Sequence, residues 1–151
     1  MKKTIFTLAI AAMMCLGITS TVHASTSPVE TGVETNDNHP KITEFVAKYF
    51  PQATVLSVMR DDNEYEVMLS DYTKLDFTLK YDWKKIDCEH STVYTAVPAE
   101  LVPVQISNHV KTSFPNQSIV KIDKDRRDWE IELTNDIELK FDRNFNLIEM
   151  D

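Results

Sequence analysis

Hydrophobic residues first recur at helical spacing in two parts of the chain. Over residues 42–49, and more sparsely over residues 106–114, apolar side chains return every three or four positions, which predicts two amphipathic helices. Prolines stand where these helices should begin and end, since proline suits a first helical turn and cannot continue a helix. They are Pro40 and Pro103 at the starts and Pro51 and Pro115 at the ends.

Strict alternation of apolar and polar residues follows each helix. It covers residues 65–69 and 75–81 after the first helix, and residues 129–134 and 137–142 after the second. A period of two with one charged face is typical of a half-buried antiparallel sheet. Asn and Asp cluster between these stretches, where their side chains favour turns.

The two patterned halves match each other in sequence. Shifting the first half by 64 positions aligns Phe50-Pro51 with Phe114-Pro115 and the triplet 65–67 with Trp129-Glu130-Ile131. After a four-residue shortening, residues 80–82 would align with residues 140–142. We therefore predict an α+β fold of two tandem repeats, each with one helix and four antiparallel strands. Together they should form an eight-stranded sheet with the helices on one face.

The first 24 residues have the features of a secretory signal peptide. Lys2 and Lys3 precede an apolar run that ends at a small-residue cleavage site after Ala24. The run is too short to predict a stable membrane span. Attachment of a lipid at Cys15 is the alternative, although Met13 and Met14 before it are larger than such a site prefers. Export to the periplasm is the location this segment predicts.

Cleavage after Ala24 would divide the rest of the chain into three parts. Residues 25–39 are polar and predict a flexible lead-in, residues 40–97 form the first repeat, and residues 98–151 form the second. Because residues 1–24 carry two lysines and no acidic residue, their loss takes the net charge from −8 to −10. Such an acidic protein is a poor ligand for nucleic acid, and it favours basic partners.

The duplicated pattern resembles a known family. A helix that ends in Phe-Pro, an aromatic-Glu-aliphatic strand and a Lys-aromatic-Asp hairpin, repeated behind a signal peptide, look like the PepSY-like periplasmic proteins. Those proteins are related in fold to the β-lactamase inhibitor protein. The resemblance covers residues 40–151 and implies protein binding or inhibition through a sheet face. Family members often place Gly in their hairpin turns, whereas residues 40–151 contain none.

The missing glycines also bear on chemistry. Phosphate-binding loops, dinucleotide fingerprints and nucleophile elbows all need Gly, so no such motif can form between residues 40 and 151, and no cofactor is expected. No Ser or Cys has a nearby His in a recognisable arrangement. We expect a protein that is not an enzyme, and a hydrolase with a dispersed catalytic site is the alternative.

Metal sites have little support in the sequence. Cys88 would be the only thiol after cleavage, so no internal disulfide is expected, and with His90 it forms a single pair of candidate ligands. Residues 61–64 are rich in oxygen ligands, but they lack the spacing and the glycine of an EF-hand loop. A hairpin turn is the preferred interpretation there, and a small-ligand or calcium-binding protein is a second alternative.

The outward strand positions are the predicted binding site. They should form an open, mostly acidic sheet face that contacts a basic protein or peptide, and an exposed tryptophan should add an anchor. A homodimer that covers this face is a variant of the same idea. The predicted contact residues are Glu66, Met68, Thr78, Lys80, Trp83, Glu130, Glu132, Glu138 and Lys140.

Overall fold

The computed structural model describes residues 33–34, 39–61 and 63–151. The predicted signal peptide and cleavage site lie outside these residues. The helices are α1 (Pro40–Tyr49) and α2 (Val104–Ser113). The strands are β1 (Val33–Glu34), β2 (Val55–Asp61), β3 (Glu64–Leu69), β4 (Lys74–Thr78), β5 (Trp83–Asp87), β6 (Ile119–Lys124), β7 (Asp128–Leu133), β8 (Glu138–Asp142) and β9 (Leu147–Met150).

The strands form one open antiparallel sheet in chain order. Each strand from β1 to β9 pairs with the next, and β5 pairs with β6 although α2 lies between them in the chain. The predicted α+β class, with an antiparallel sheet and two helices, is confirmed. The two-residue β1, within the predicted lead-in, adds a strand to the eight that were expected. In the described part of the chain, no helix is long and apolar enough to span a membrane.

Both helices end where proline stops them. Pro40 is the first residue of α1 and Pro103 precedes α2, while the amides of Phe50 and Phe114 close the last turns by donating to Val46 and Val110. Pro51 and Pro115 come directly afterwards and cannot continue the helical hydrogen bonds. The predicted helix ends are therefore reproduced to within a residue or two.

The hydrophobic core lies against one side of the sheet, which we call the core face. Ile42, Val46, Ile106 and Val110 of the helices are buried in the same cluster as the inward residues of the strands. Those strand residues alternate with polar ones, as the period of two predicts. They include Val58, Val67, Leu69, Leu75, Phe77, Ile86, Ile122, Ile131, Leu133, Leu139 and Phe141. The opposite side is the open face.

The pairing register corrects the alignment of the two halves. Tyr65 pairs with Phe77, and Trp129 pairs with Phe141, so the 64-residue spacing continues through β4 and β8. The predicted four-residue shortening was wrong. It matched residues 80–82 to a strand, whereas β4 ends at Thr78 and Leu79-Lys80 form a turn.

The turns repeat at the same spacing without glycine. Tyr72 and Asp136 have φ of 71° and 63°, and Tyr81 and Phe145, also 64 residues apart, have φ of 68° and 63°. Each donates its amide to the residue three positions earlier, which closes the hairpin. The left-handed conformation favours glycine, so these side chains are held there at a cost of ~1 kcal/mol each.

Candidate functional site

A row of side chains crosses the whole open face. Cross-strand partners point to the same side of a sheet, so the pairing register places them next to one another. From β2 to β9 the row is Met59, Glu66, Asp76, Lys85, Asp123, Glu130, Lys140 and Glu149. Five of these eight residues are acidic and two are basic, so the row carries an excess of negative charge.

The acidic excess is concentrated between β5 and β9. A shallow cavity of about 260 Å³ opens there on the open face, and we call it the acidic groove. Six carboxyl side chains and three amino side chains line it. They are Asp123, Glu130, Glu132, Glu138, Glu149 and Asp151 with Lys85, Lys121 and Lys140, and Ile131 and Leu139 complete the lining.

Two of these lysines are already engaged. The Nζ atom of Lys140 lies 2.6 Å from Glu130 Oε1 and 3.4 Å from Asp128 Oδ2. The hydrogen bond to Glu130 raises the pKa of Lys140, so this amino group stays charged. Lys121 Nζ donates to Glu132 Oε2 at 2.9 Å. Glu138 lies directly across from Glu132, and like charges in that position repel.

The centre of the row holds two partly buried carboxyl groups that the sequence analysis did not single out. Asp76 and Asp123 flank Lys85, which is the cross-strand partner of both. Burial raises the pKa of Asp76 to about 6, with nearby carboxylates adding to the shift and Lys85 opposing it. Burial also raises the pKa of Asp123. One lysine therefore does not offset the cost of burying two charges.

Strand phase could have identified both aspartates. Each alternates with buried neighbours, Asp76 between Leu75 and Phe77 and Asp123 beside Ile122, which places it on the open face. Their proximity depends on the pairing of β4, β5 and β6, however, and one sequence does not reveal that register.

The structure brings together part of the predicted contact set. Glu130 pairs with Lys140 and Glu132 pairs with Glu138, so these four residues lie side by side in the acidic groove. The remaining open-face residues lie nearer β2: Glu66 and Met68 on β3, and Thr78 at the end of β4. The Oγ1 atom of Thr78 accepts hydrogen bonds from the amides of Lys80 and Asp82, so it closes a turn.

Lys80 and Trp83 do not belong to the acidic groove. Lys80 lies in the turn between β4 and β5. Trp83 pairs with buried Phe77, which places it on the core face, where its ring centroid lies 6.2 Å from that of Trp129. Lys124 Nζ lies 3.8 Å from the centroid of the Trp83 ring, and burial lowers the pKa of this lysine. The tryptophan thus packs in a partly buried cluster on the other side of the sheet.

The two candidate metal ligands of the sequence, Cys88 and His90, differ in exposure. Cys88 is buried, while His90 is exposed two residues later. Burial raises the pKa of the Cys88 thiol to about 12, which is the opposite of what a nucleophile or a metal ligand needs. Over residues 39–61 and 63–151, no three His, Cys, Asp or Glu side chains converge closely enough to hold a metal ion.

Comparisons with known proteins match the chain to one family model and to several solved structures. The family model described as "Putative beta-lactamase-inhibitor-like, PepSY-like" matches residues 29–82 and 63–149. None of the curated proteins matches the chain.

Three solved structures share the fold. A Bacteroides thetaiotaomicron periplasmic protein, described as a proposed calcium-regulated protein, is 32% identical, with a TM-score of 0.68 and coverage of 74% of this chain and 88% of its own. A Bacteroides vulgatus periplasmic protein is also 32% identical, with a TM-score of 0.68 and coverage of 74% and 87%. Another from that organism, of unknown function, is 27% identical, with a TM-score of 0.72 and coverage of 80% and 98%.

Proposed function

The chain belongs to the PepSY-like family, and we propose that it is a non-enzymatic binding or regulatory module that holds a basic segment of another protein in its acidic groove. The observation that carries this proposal is the composition of the groove, where six carboxyl groups face three amino groups. Lys140 and Lys121 are hydrogen-bonded to Glu130 and Glu132, and Lys85 lies between Asp76 and Asp123, so carboxylates outnumber cations among the residues that line the groove.

A basic partner would supply the missing positive charge. Its lysine or arginine side chains could donate charge-assisted hydrogen bonds to Glu138, Glu149 and Asp151 at the β9 side of the groove. They would also lower the cost of keeping Asp123 ionised, because a nearby cation favours the charged form of a carboxyl group. Association through such charges is fast and specific, and salt weakens it. Inhibition of the partner would follow if the bound segment were functional.

Reversing two charges in the groove should abolish this binding. With residues 25–151 as bait, we expect the Glu130→Lys/Glu132→Lys variant to retain basic periplasmic proteins at least about tenfold less well than the wild type. The wild type should release the same proteins as salt is raised. Retention is measured by quantitative mass spectrometry on extract from the source organism.

The matched control carries the same change in net charge away from the groove. Glu44 and Glu100 are exposed, on α1 and between β5 and α2, so Glu44→Lys/Glu100→Lys should retain what the wild type retains. Equal loss in both double variants would mean that overall charge governs the contact. Unchanged retention in the groove variant would rule out the acidic groove as the site.

Calcium binding is the second candidate, because the relative from Bacteroides thetaiotaomicron is described in terms of calcium regulation. In this chain Glu64, the last residue of the oxygen-rich segment 61–64, is ion-paired with Lys84. We therefore expect the melting temperature in 5 mM Ca²⁺ to differ by no more than about 1 °C from that in the same concentration of Mg²⁺. Tight calcium binding would instead raise it by several degrees. A calcium-specific rise of several degrees would make ion binding the leading function.

Export and internal duplication complete the proposal. The periplasmic relatives support export of this chain. The proposed cleavage after Ala24 is checked by N-terminal sequencing of the exported protein. The 64-residue recurrence of strand pairs and turns supports a tandem duplication with both helices on the core face. In such a duplication the second copy supplies the groove's lining residues except Lys85. Its Lys140 and Asp123 correspond to Asp76 and Met59 of the first copy.

A further inference from the structure

The last strand, β9, leaves an apolar edge uncovered. Leu147 and Met150 pair with buried Phe141 and Leu139, so they point to the core face, yet they are 38% and 59% exposed. In the described part of the chain, no strand pairs with the outer side of β9. An open edge of this kind offers backbone hydrogen bonds to an added strand.

The chain itself shows what covers the corresponding strand. Strand β5 of the first half corresponds to β9 of the second half, since their pairings recur at a spacing of 64 residues. Its partner is β6, in which Ile122 pairs with Ile86 on the core face. On the open face two oppositely charged pairs flank this aliphatic pair, Lys85 with Asp123 and Asp87 with Lys121.

The same three positions in the second half are Glu149 and Met150 of β9 and Asp151 directly after it. Both flanking residues are therefore acidic, and both line the acidic groove. Asp151 exchanges two backbone hydrogen bonds of 3.0 Å with Glu138. Because antiparallel residues alternate in direction, the N–H and C=O of the preceding residue, Met150, point to the outer edge.

We infer that β9 binds an extended basic-aliphatic-basic segment of the partner as an added antiparallel strand. The aliphatic residue lies opposite Met150 and exchanges two backbone hydrogen bonds with it. The pairing register places Ile122 opposite Ile86 in the same way. The two basic side chains lie opposite Glu149 and Asp151 and reach the acidic groove. This inference rests on the proposed function and names the segment that the groove receives.

A second copy of the chain fits this edge less well. The strand it would offer is β2, the counterpart of β6, and that strand would place Met59 opposite Glu149 and Ser57 opposite Asp151, neither of them basic. Moreover, Val58 and Met59 already pair with β1. Charge complementarity therefore favours a partner segment, and self-association becomes an outcome of the test.

Three short peptides test the edge. Residues 25–151 are titrated with Ac-Thr-Lys-Ile-Lys-Thr-NH₂, with the same peptide N-methylated on Ile, and with Ac-Thr-Glu-Ile-Glu-Thr-NH₂, while backbone amide NMR shifts are followed. We expect the first peptide to shift the Met150 amide. The N-methyl group removes one edge hydrogen bond and blocks close approach, so binding should weaken at least about tenfold. The acidic peptide should not bind.

Protein variants separate the two levels of the proposal. Glu149→Lys/Asp151→Lys should abolish binding of the basic peptide, whereas Glu44→Lys/Glu100→Lys should not. Failure of the basic peptide to bind, or equal binding of its N-methylated form, overturns the edge inference.

The proposed function depends on a different result, the retention of the partner by the Glu130→Lys/Glu132→Lys variant. It survives if this variant retains less of the partner than the wild type does, and it fails if the two retain the partner equally. Dimerisation of the wild type that Glu149→Lys/Asp151→Lys dissolves would assign the edge to a second copy and overturn the inference.

Discussion

Replacing Asp71 by alanine should lower the free energy of unfolding by about 3 kcal/mol. Asp71 is 3% exposed, and its carboxylate accepts hydrogen bonds from Ser91 Oγ at 2.6 Å and from Thr73 Oγ1 at 2.9 Å and Thr73 N at 3.2 Å. Its carbonyl oxygen accepts from Thr92 N at 2.8 Å. Alanine would remove the carboxylate that accepts from the Thr73 and Ser91 donors. Removing one partner of a buried hydrogen bond is costly because the other partner is left unsatisfied. Urea unfolding followed by tryptophan fluorescence measures the change.

The reason for so large an effect is that Asp71 joins two parts of the chain. The turn between β3 and β4 supplies the carboxylate, and Ser91 belongs to the connection between β5 and α2. The hydroxyl oxygen of Ser91 in turn accepts from the amides of Val93 and Tyr94. Faster hydrogen exchange over residues 91–94 in the Asp71→Ala variant would show that the connection has loosened.

Asn135 provides the control, since it stands 64 residues after Asp71 and is exposed. The Asn135→Ala variant should change stability by less than about 0.5 kcal/mol, as exposed substitutions usually do. Equal losses in the two variants would show that turn conformation, not the buried network, accounts for the effect of Asp71.

Local patterns in the sequence were enough for the elements and their faces. Helical spacing, proline positions and period-two alternation depend only on neighbouring residues, so α1, α2 and the outward direction of Glu130 and Glu132 followed from them. Asp71 lies between two of the alternating stretches, where the sequence predicts only a turn. Its burial depends on Ser91, twenty residues away, and no local pattern encodes that contact.

Local patterns likewise predicted only part of the acidic groove. Charges at alternating positions identified its residues on β7 and β8, but their neighbours on β5, β6 and β9 depend on pairing register. The assumed four-residue shortening aligned Lys80 with Lys140, whereas the register aligns Asp76 with it. Because of that error, Asp76 was missed as a residue of the open face. Lys80 was assigned to that face, although it lies in a turn.

Replacing Asp76 by asparagine should stabilise the protein at neutral pH by about 1 kcal/mol. The pKa of Asp76 is about 6 in the folded protein against 3.8 for the free group, so the folded state takes up a proton more readily than the unfolded state. The stability this group contributes is complete below the lower pKa and is lost as the pH rises through 6. The shift corresponds to at most about 3 kcal/mol, and solvent screening and the attraction to Lys85 reduce the gain expected from asparagine.

The dependence on pH separates this cause from a packing effect. An asparagine side chain resembles the protonated acid, so thermal unfolding should show a gain of roughly 4 °C at pH 7.5 for Asp76→Asn and little difference at about pH 3.5, below the lower pKa. Glu100→Gln, an exposed change away from the open face, should have little effect at either pH. A loss of stability at pH 7.5 would mean that attraction to Lys85 outweighs the cost of burial. A gain confined to high pH would instead show that the centre of the open face is short of positive charge, the condition on which recognition of a basic partner depends.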